Sequence, residues 1–327
     1  MLRSLVALAL LILGAVGIAR FVLPGGPDAA AAREIKSQLT LDEIPFNGER
    51  AYEYLKAVCA IGPRVSGSEG MARQQKLLEA HFSKLGGQVS YQKFRVRHPL
   101  TGEPVPMANL LVRWHPERRE RILLCAHYDT RPLPDRDPNP RLRREGVFIG
   151  ANDGGSGVAL LMEMAHEIGD LQTKYGVDFC LFDGEELVYD SDRDPYFLGS
   201  EWFARQYVAR PQGFTYRWGV LLDMVGDADL QLYQEKNSMY WPDTRPLVID
   251  IWNTAERLGV KEFIPRRKHE IRDDHIKLHN IGGIPCCDII DFDYPHWHTT
   301  GDTVDKCSAL SLAKVGWVVT EWLKTIE

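Results

Sequence analysis

From Arg121 to Ile326 short apolar runs alternate with segments of helical periodicity, and few architectures accept that order. Arg121–Ala126, Val177–Phe182, Trp218–Met224 and Cys286–Asp291 read as strands. Gly157–Ile168, Arg245–Leu258, Ser311–Ile326 and stretches around Glu201–Val208 and after Asp274 read as helices, with a further short strand near Glu262. Upstream, Ala51–Leu85 reads as helix, turn, helix about Ile61-Gly-Pro-Arg-Val-Ser-Gly-Ser68, and Val89–Val96 and Asn109–Trp114 as strands. Strand, helix, strand implies a three-layer α-β-α sandwich whose central sheet is mixed but mostly parallel. In such sheets, functional loops gather at the carboxyl ends of the strands.

That is where the acidic and imidazole groups fall. His127 and Asp129 end one strand, Asp153 lies in Gly150-Ala-Asn-Asp-Gly-Gly-Ser-Gly157, and Glu185-Glu186 follow an apolar strand. Asp223 ends Val220-Leu-Leu-Asp, and His298 sits in Pro295-His-Trp-His-Thr-Thr300, with His296 as a rival. Each has an ordinary alternative: a strand-end turn, a helix cap, an exposed acidic turn, a structural histidine. Together, oxygen and nitrogen ligands without thiolate suit a catalytic zinc, and a neighbouring unligated carboxylate suits a general base. In His127-Tyr-Asp129 the i, i+2 spacing puts both polar groups on one side of an extended backbone, so Asp129 can orient the imidazole.

A length of 327 residues, 44% hydrophobic, is enough for one large domain, read here as residues 33–327. A net charge of −6 without a Lys/Arg block gives no footprint for nucleic acid. Residues 1–32 read as a signal or anchor with its linker: Arg3 precedes an apolar run, Leu5–Ala19, short of the about 20 residues of a full span, and Ala29–Ala32 offers small residues for cleavage. The protein is thus expected to be exported, held at a membrane through this segment alone, or released as a periplasmic or secreted form. Six scattered cysteines, with no C-x-x-C pair, look like buried thiols. The Pro/Asp/Arg loop Arg131–Glu145 either borders the pocket or solvates the surface, and surface is the default reading.

The series His127-x-Asp129, Gly150-Ala-Asn-Asp153, Asp183-Gly-Glu-Glu186, Leu198-Gly-Ser200, Asp223 and Trp297-His-Thr299 resembles the zinc aminopeptidase and glutaminyl cyclase superfamily, metallopeptidase family 28, from about Ala51 to the end. For aminopeptidases the resemblance implies two zincs bridged by Asp153, with His127 and Asp223 on one, Glu186 and His298 on the other, and Glu185 as base. For the cyclases it implies one zinc on Asp153, Glu186 and His298, with Glu185 shuttling the proton that forms pyroglutamate from N-terminal glutamine. In either branch the substrates are peptide or protein N-termini.

The cyclase branch is the closer resemblance. The segment Leu187–Leu198 has a length like that of the cyclases, and Asp273-Asp-His-Ile276, Gly283-Ile-Pro285 and Trp297 beside His298 resemble their arrangement. The resemblance implies that Asp273 and Asp223 join the catalytic hydrogen-bond network and that Trp297 walls the pocket. One position departs: the cyclases place Trp five residues after the second Glu, where Ser191 stands, with Tyr189 as a nearby substitute. One cysteine of the animal-type cyclase disulfide would fall on Val158, so no disulfide carries over. Trp202, at helical spacing, reads as core.

Overall fold

In a computed structural model, which describes residues 36–210 and 213–326, the apolar runs join six strands of one sheet. In chain order the elements are α1 (Gly48–Cys59), α2 (Glu69–Lys84), β1 (Gln88–Arg97), β2 (Pro104–Trp114), β3 (Glu120–His127), α3 (Leu142–Glu145), α4 (Gly157–Ile168), β4 (Gly176–Phe182) and α5 (Leu198–Ala209). There follow β5 (Thr215–Asp223), β6 (Leu232–Glu235), α6 (Lys236–Tyr240), α7 (Arg245–Leu258), β7 (Phe263–Lys268), α8 (Asp274–Asn280), β8 (Cys286–Ile290) and α9 (Ala309–Thr325). The sheet order is β1-β2-β4-β3-β5-β8. β4, β3, β5 and β8 run parallel, and β1 and β2 are added antiparallel at one edge.

Helices cover both faces, which is why β4 and β8 are buried along their whole length and read as mainly apolar runs, each interrupted once, by Asp178 and Asp288. Alternate residues go to opposite layers. Leu124, Phe179, Val220 and Cys287 pack towards α1, α2, α4, α7 and α9, whereas Leu123, Cys180, Leu221 and Cys286 pack towards Phe203 of α5 and Leu278 of α8. The expected three-layer sandwich with a mixed, mostly parallel sheet is the fold found.

Two differences have physical reasons. β2 starts at Pro104 rather than Asn109, because between Pro104 and Pro106 it pairs only with β1, while pairing with β4 begins at Leu110. A proline there costs no bond on the open side. β6, four residues long, pairs with β7 in a separate two-stranded sheet, too short to leave a periodic signal. All six cysteines are free and buried. Trp202 stacks on Phe94 with centroids 5.6 Å apart. Among the described residues no helix is long and apolar enough to cross a membrane; the expected signal or anchor, residues 1–32, lies outside them.

Candidate active site

Because four strands run parallel, their carboxyl ends share one edge, and the loops leaving them line a cavity of about 360 Å³. β3 brings His127, the turn after β4 brings Glu185 and Glu186, β5 brings Asp223, and the segment after β8 brings Trp297 and His298. Asp153, from the turn ahead of α4, and Asp273, the N-cap of α8, complete the wall. Strain concentrates here: Phe197, Met224 and His298 have φ of 62°, 46° and 56°, and all three line the cavity. Bulky side chains seldom adopt that region, at a cost of about 1 kcal/mol or more, so the surrounding contacts must hold them there.

The turns that carry the acidic residues are held by contacts of their own. Asp302 is buried and accepts the backbone N–H groups of Asn152 (2.8 Å) and Asp153 (3.1 Å), and the Arg64 guanidinium donates to the carbonyls of Ile149 (2.8 Å) and Gly150 (2.9 Å). Gly154, at φ +80°, lets the turn pass so close to His127 that a Cβ would stand 2.9 Å from the ring. Asp129 accepts the amides of Glu185 (3.2 Å) and Glu186 (3.0 Å). Its Oδ1 lies 3.8 Å from His127 Nδ1, so its hydrogen bonds hold the two-glutamate turn rather than the imidazole.

His127 Nε2 lies 3.2 Å from both Asp153 Oδ1 and Asp223 Oδ1, and His298 Nε2 lies 3.2 Å from Glu186 Oε1 and 3.5 Å from Asp153 Oδ2. Burial alone would lower the pKa of each imidazole, but the surrounding carboxylates outweigh it: His127 goes well up and His298 to about 9. Burial and then the charge of Glu186 push Glu185 well above the carboxylate range, and burial with Asp223 does the same to Asp273. Glu186 goes the other way, since His298 and Arg131 overcome the cost of its burial.

So many buried acids demand positive charge. Among the described residues two sets can hold a metal, Asp153 with Glu186 and His298, and His127 with Asp153 and Asp223, the ligand atoms of each lying within 4.8 Å of one another. Asp153 belongs to both. Asp153 Oδ2 and Glu186 Oε2 are buried without a hydrogen-bond partner, as oxygens that face a cation would be. The donors fit zinc: oxygen and imidazole nitrogen, no thiolate, and room for open coordination positions.

Two expectations need correction. The loop Arg131–Glu145 is not simply solvated surface, because Arg131 is 2% exposed and, with Asp135 and Arg136, lines the cavity. Arg131 donates to Glu186 Oε1 (3.1 Å) and through Nε and Nη2 to both Asp135 oxygens (2.9 Å each). Nor does Tyr189 take the place of the absent Trp: it packs on His98, away from the cavity, while Ser191 and Tyr196 line it beside Arg131. The sequence signal that would have found Arg131 is its place two residues after Asp129, on the loop that leaves the same strand end.

The fold has counterparts among solved structures. Residues 109–323 match the model of peptidase family M28. A glutaminyl cyclase of Fimbriiglobus ruber superposes with TM-score 0.82 at 39% identity, over 86% of this chain and 96% of that one. A glutaminyl cyclase of Porphyromonas gingivalis gives TM-score 0.79 at 32% identity, over 86% and 98%. A leucine aminopeptidase precursor from Bacteroides thetaiotaomicron gives TM-score 0.80 at 29% identity, again over 86% and 98%. With the family matched over most of its length and a donor set suited to zinc at the strand ends, this chain is a zinc enzyme that belongs to peptidase family M28.

Proposed function

We propose that the protein is a glutaminyl-peptide cyclotransferase, converting the N-terminal glutamine of peptides to pyroglutamate with release of ammonia. The observation that carries the reading is Asp273, a buried carboxyl on the wall that also carries Glu185 and Trp297, its pKa raised well above the usual carboxylate range by burial and by Asp223. Identity of 39% to a cyclase over most of both chains supports it.

Asp153, Glu186 and His298 would hold one zinc, whose contribution when bound is to polarise the side-chain amide carbonyl of the substrate. Glu185, its pKa raised towards the working range of an acid-base group, takes a proton from the α-amine as the bond from that nitrogen to Cδ forms. It returns the proton to the amide nitrogen, which leaves as ammonia. Asp273 and Asp223 hold the reacting carboxamide by hydrogen bonds, and Trp297 walls the pocket. No water is consumed, and the reaction is intramolecular, so holding amine against amide supplies much of the rate.

A second reading, aminopeptidase hydrolysis, is favoured by the second donor set, His127, Asp153 and Asp223, and by the similarity to a leucine aminopeptidase precursor. There two zincs would be held and Glu185 would take the proton of a water. The zinc-loaded protein, given one Gln-initiated and one Leu-initiated peptide, separates the two. Ammonia from the Gln peptide alone supports cyclisation; a free amino acid from either overturns it and gives His127 and Asp223 to a second zinc. We further read residues 1–32 as an export signal or anchor ahead of one catalytic domain, 33–327.

A further inference from the structure

We infer that Arg131–Asp137 is the positioning element of the zinc ligands, with Asp135 orienting His298 and Arg131 orienting Glu186. The inference rests on the assignment of Asp153, Glu186 and His298 to zinc and is independent of the choice between cyclisation and hydrolysis.

The segment is laced to the His298 loop at three successive residues. Asp135 Oδ1 stands 3.1 Å from His298 Nδ1, the Arg136 amide donates to the His298 carbonyl (3.1 Å), and Asp137 Oδ2 accepts from the Thr300 amide (2.9 Å) and hydroxyl (2.6 Å). The Arg136 guanidinium also lies over the Trp297 ring, 4.1 Å from its centroid. These contacts bracket the one residue of the loop held at φ +56°, a conformation His298 does not adopt unaided. Although the Nδ1 approach is not aligned as a hydrogen bond, Asp135 is the carboxylate nearest that nitrogen, leaving Nε2 towards Asp153 and Glu186.

Arg131 joins the two halves. Its fork closes on both Asp135 oxygens while Nη1 reaches Glu186 Oε1, so Oε1 is occupied and Oε2 is left free for a metal. A lysine could not make these contacts at once, since only the planar guanidinium presents donors in two directions. Two carboxylates share one buried cation, and counting Asp153 the set carries two net negative charges, which a divalent zinc neutralises. Supporting residues of this kind typically alter metal affinity 10- to 100-fold.

The test is zinc affinity of the full chain, by competition with a chromophoric chelator. Asp135→Asn, nearly isosteric, is expected to weaken zinc about 10-fold or more, as is Arg131→Lys. Arg141→Gln, on the same loop but exposed and paired with Glu145, is expected to leave affinity within about twofold. Cobalt substitution adds a signature that a merely structural role would not move: the visible bands of the Asp135→Asn protein shift and those of Arg141→Gln do not. Should a variant fail to fold, hydrogen exchange at the Arg136 amide of the unaltered protein gives the answer, and zinc is expected to slow it. Unchanged affinity and cobalt bands in a folded Asp135→Asn protein, or exchange indifferent to zinc, overturn the inference alone. An unaltered protein that takes up no zinc overturns the metal assignment with it.

Discussion

Glu185 and Glu186 are adjacent in sequence, yet their surroundings drive their protonation apart. Glu185 is pushed up by burial and by its neighbour's charge, whereas Glu186 is held down by His298 and Arg131. Two carboxylates so separated divide into a proton carrier and a permanent anion, the pattern of acid-base sites. Glu185→Gln is therefore expected to keep zinc and lose turnover by about 100- to 10,000-fold. Glu186→Gln is expected to lose zinc itself. Metal content by atomic emission beside ammonia release checks both, and near-normal turnover in Glu185→Gln would remove it as the base. The sequence made the two glutamates candidates through their position after an apolar strand. It could not say why they differ, because one of the causes, Arg131, stands 55 positions away and looks like one more charge in a polar loop.

Elements were legible where burial writes a long pattern. α7, predicted over Arg245–Leu258, has those bounds, and β4 and β8 announced themselves as mainly apolar runs. β6 and α6, of four and five residues, lie below the length at which periodicity can be read. Ile61–Ser68 was legible as a turn but not as a support. Its Arg64 is wholly buried, donating to the carbonyls of Gly62, Ile149 and Gly150, and its backbone N–H donates to Thr130 Oγ1 at 2.8 Å. It thus ties the α1–α2 connection to the turn that carries Asp153. Arg64→Leu would leave the buried Gly150 carbonyl unpaired, at about 1–3 kcal/mol, and take a partner from the half-buried carbonyls of Gly62 and Ile149. The expected result is a melting temperature lower by about 5 °C or more and weaker zinc binding, both measurable on one preparation. A variant that melts like the unaltered protein would mean that other groups hold the turn.

At the scale of the molecule, the parallel sheet gathers more acid at one edge than neighbouring side chains neutralise, and stability must follow pH accordingly. Strand order converted residues spread from 127 to 298 into one cavity, and the sequence conveyed this because most candidates followed a recognisable strand and Asp153 lay in a glycine-rich turn. The charge balance was not legible, since it depends on which acids lose their water. Asp183, Asp274 and Asp291 are raised to about 7, burial being the largest cause in each, while Asp135 and Glu235 are held at about 2 because their partners outweigh burial. An acid raised in the folded state binds more protons there than when unfolded, so its contribution is full below about pH 4 and is lost as pH rises towards 7. An acid held down contributes fully above about pH 4 and loses that contribution as pH falls towards 2. The metal-free protein should accordingly melt higher at pH 5 than at pH 8. Zinc opposes the trend, because its ligands bind it deprotonated and affinity therefore grows with pH. Thermal scans with zinc and with chelator should give a larger zinc-dependent rise in melting temperature at pH 8 than at pH 5. An equal rise at both would mean that zinc uptake displaces no protons, contrary to a cluster in which His127 and His298 hold them between carboxylates.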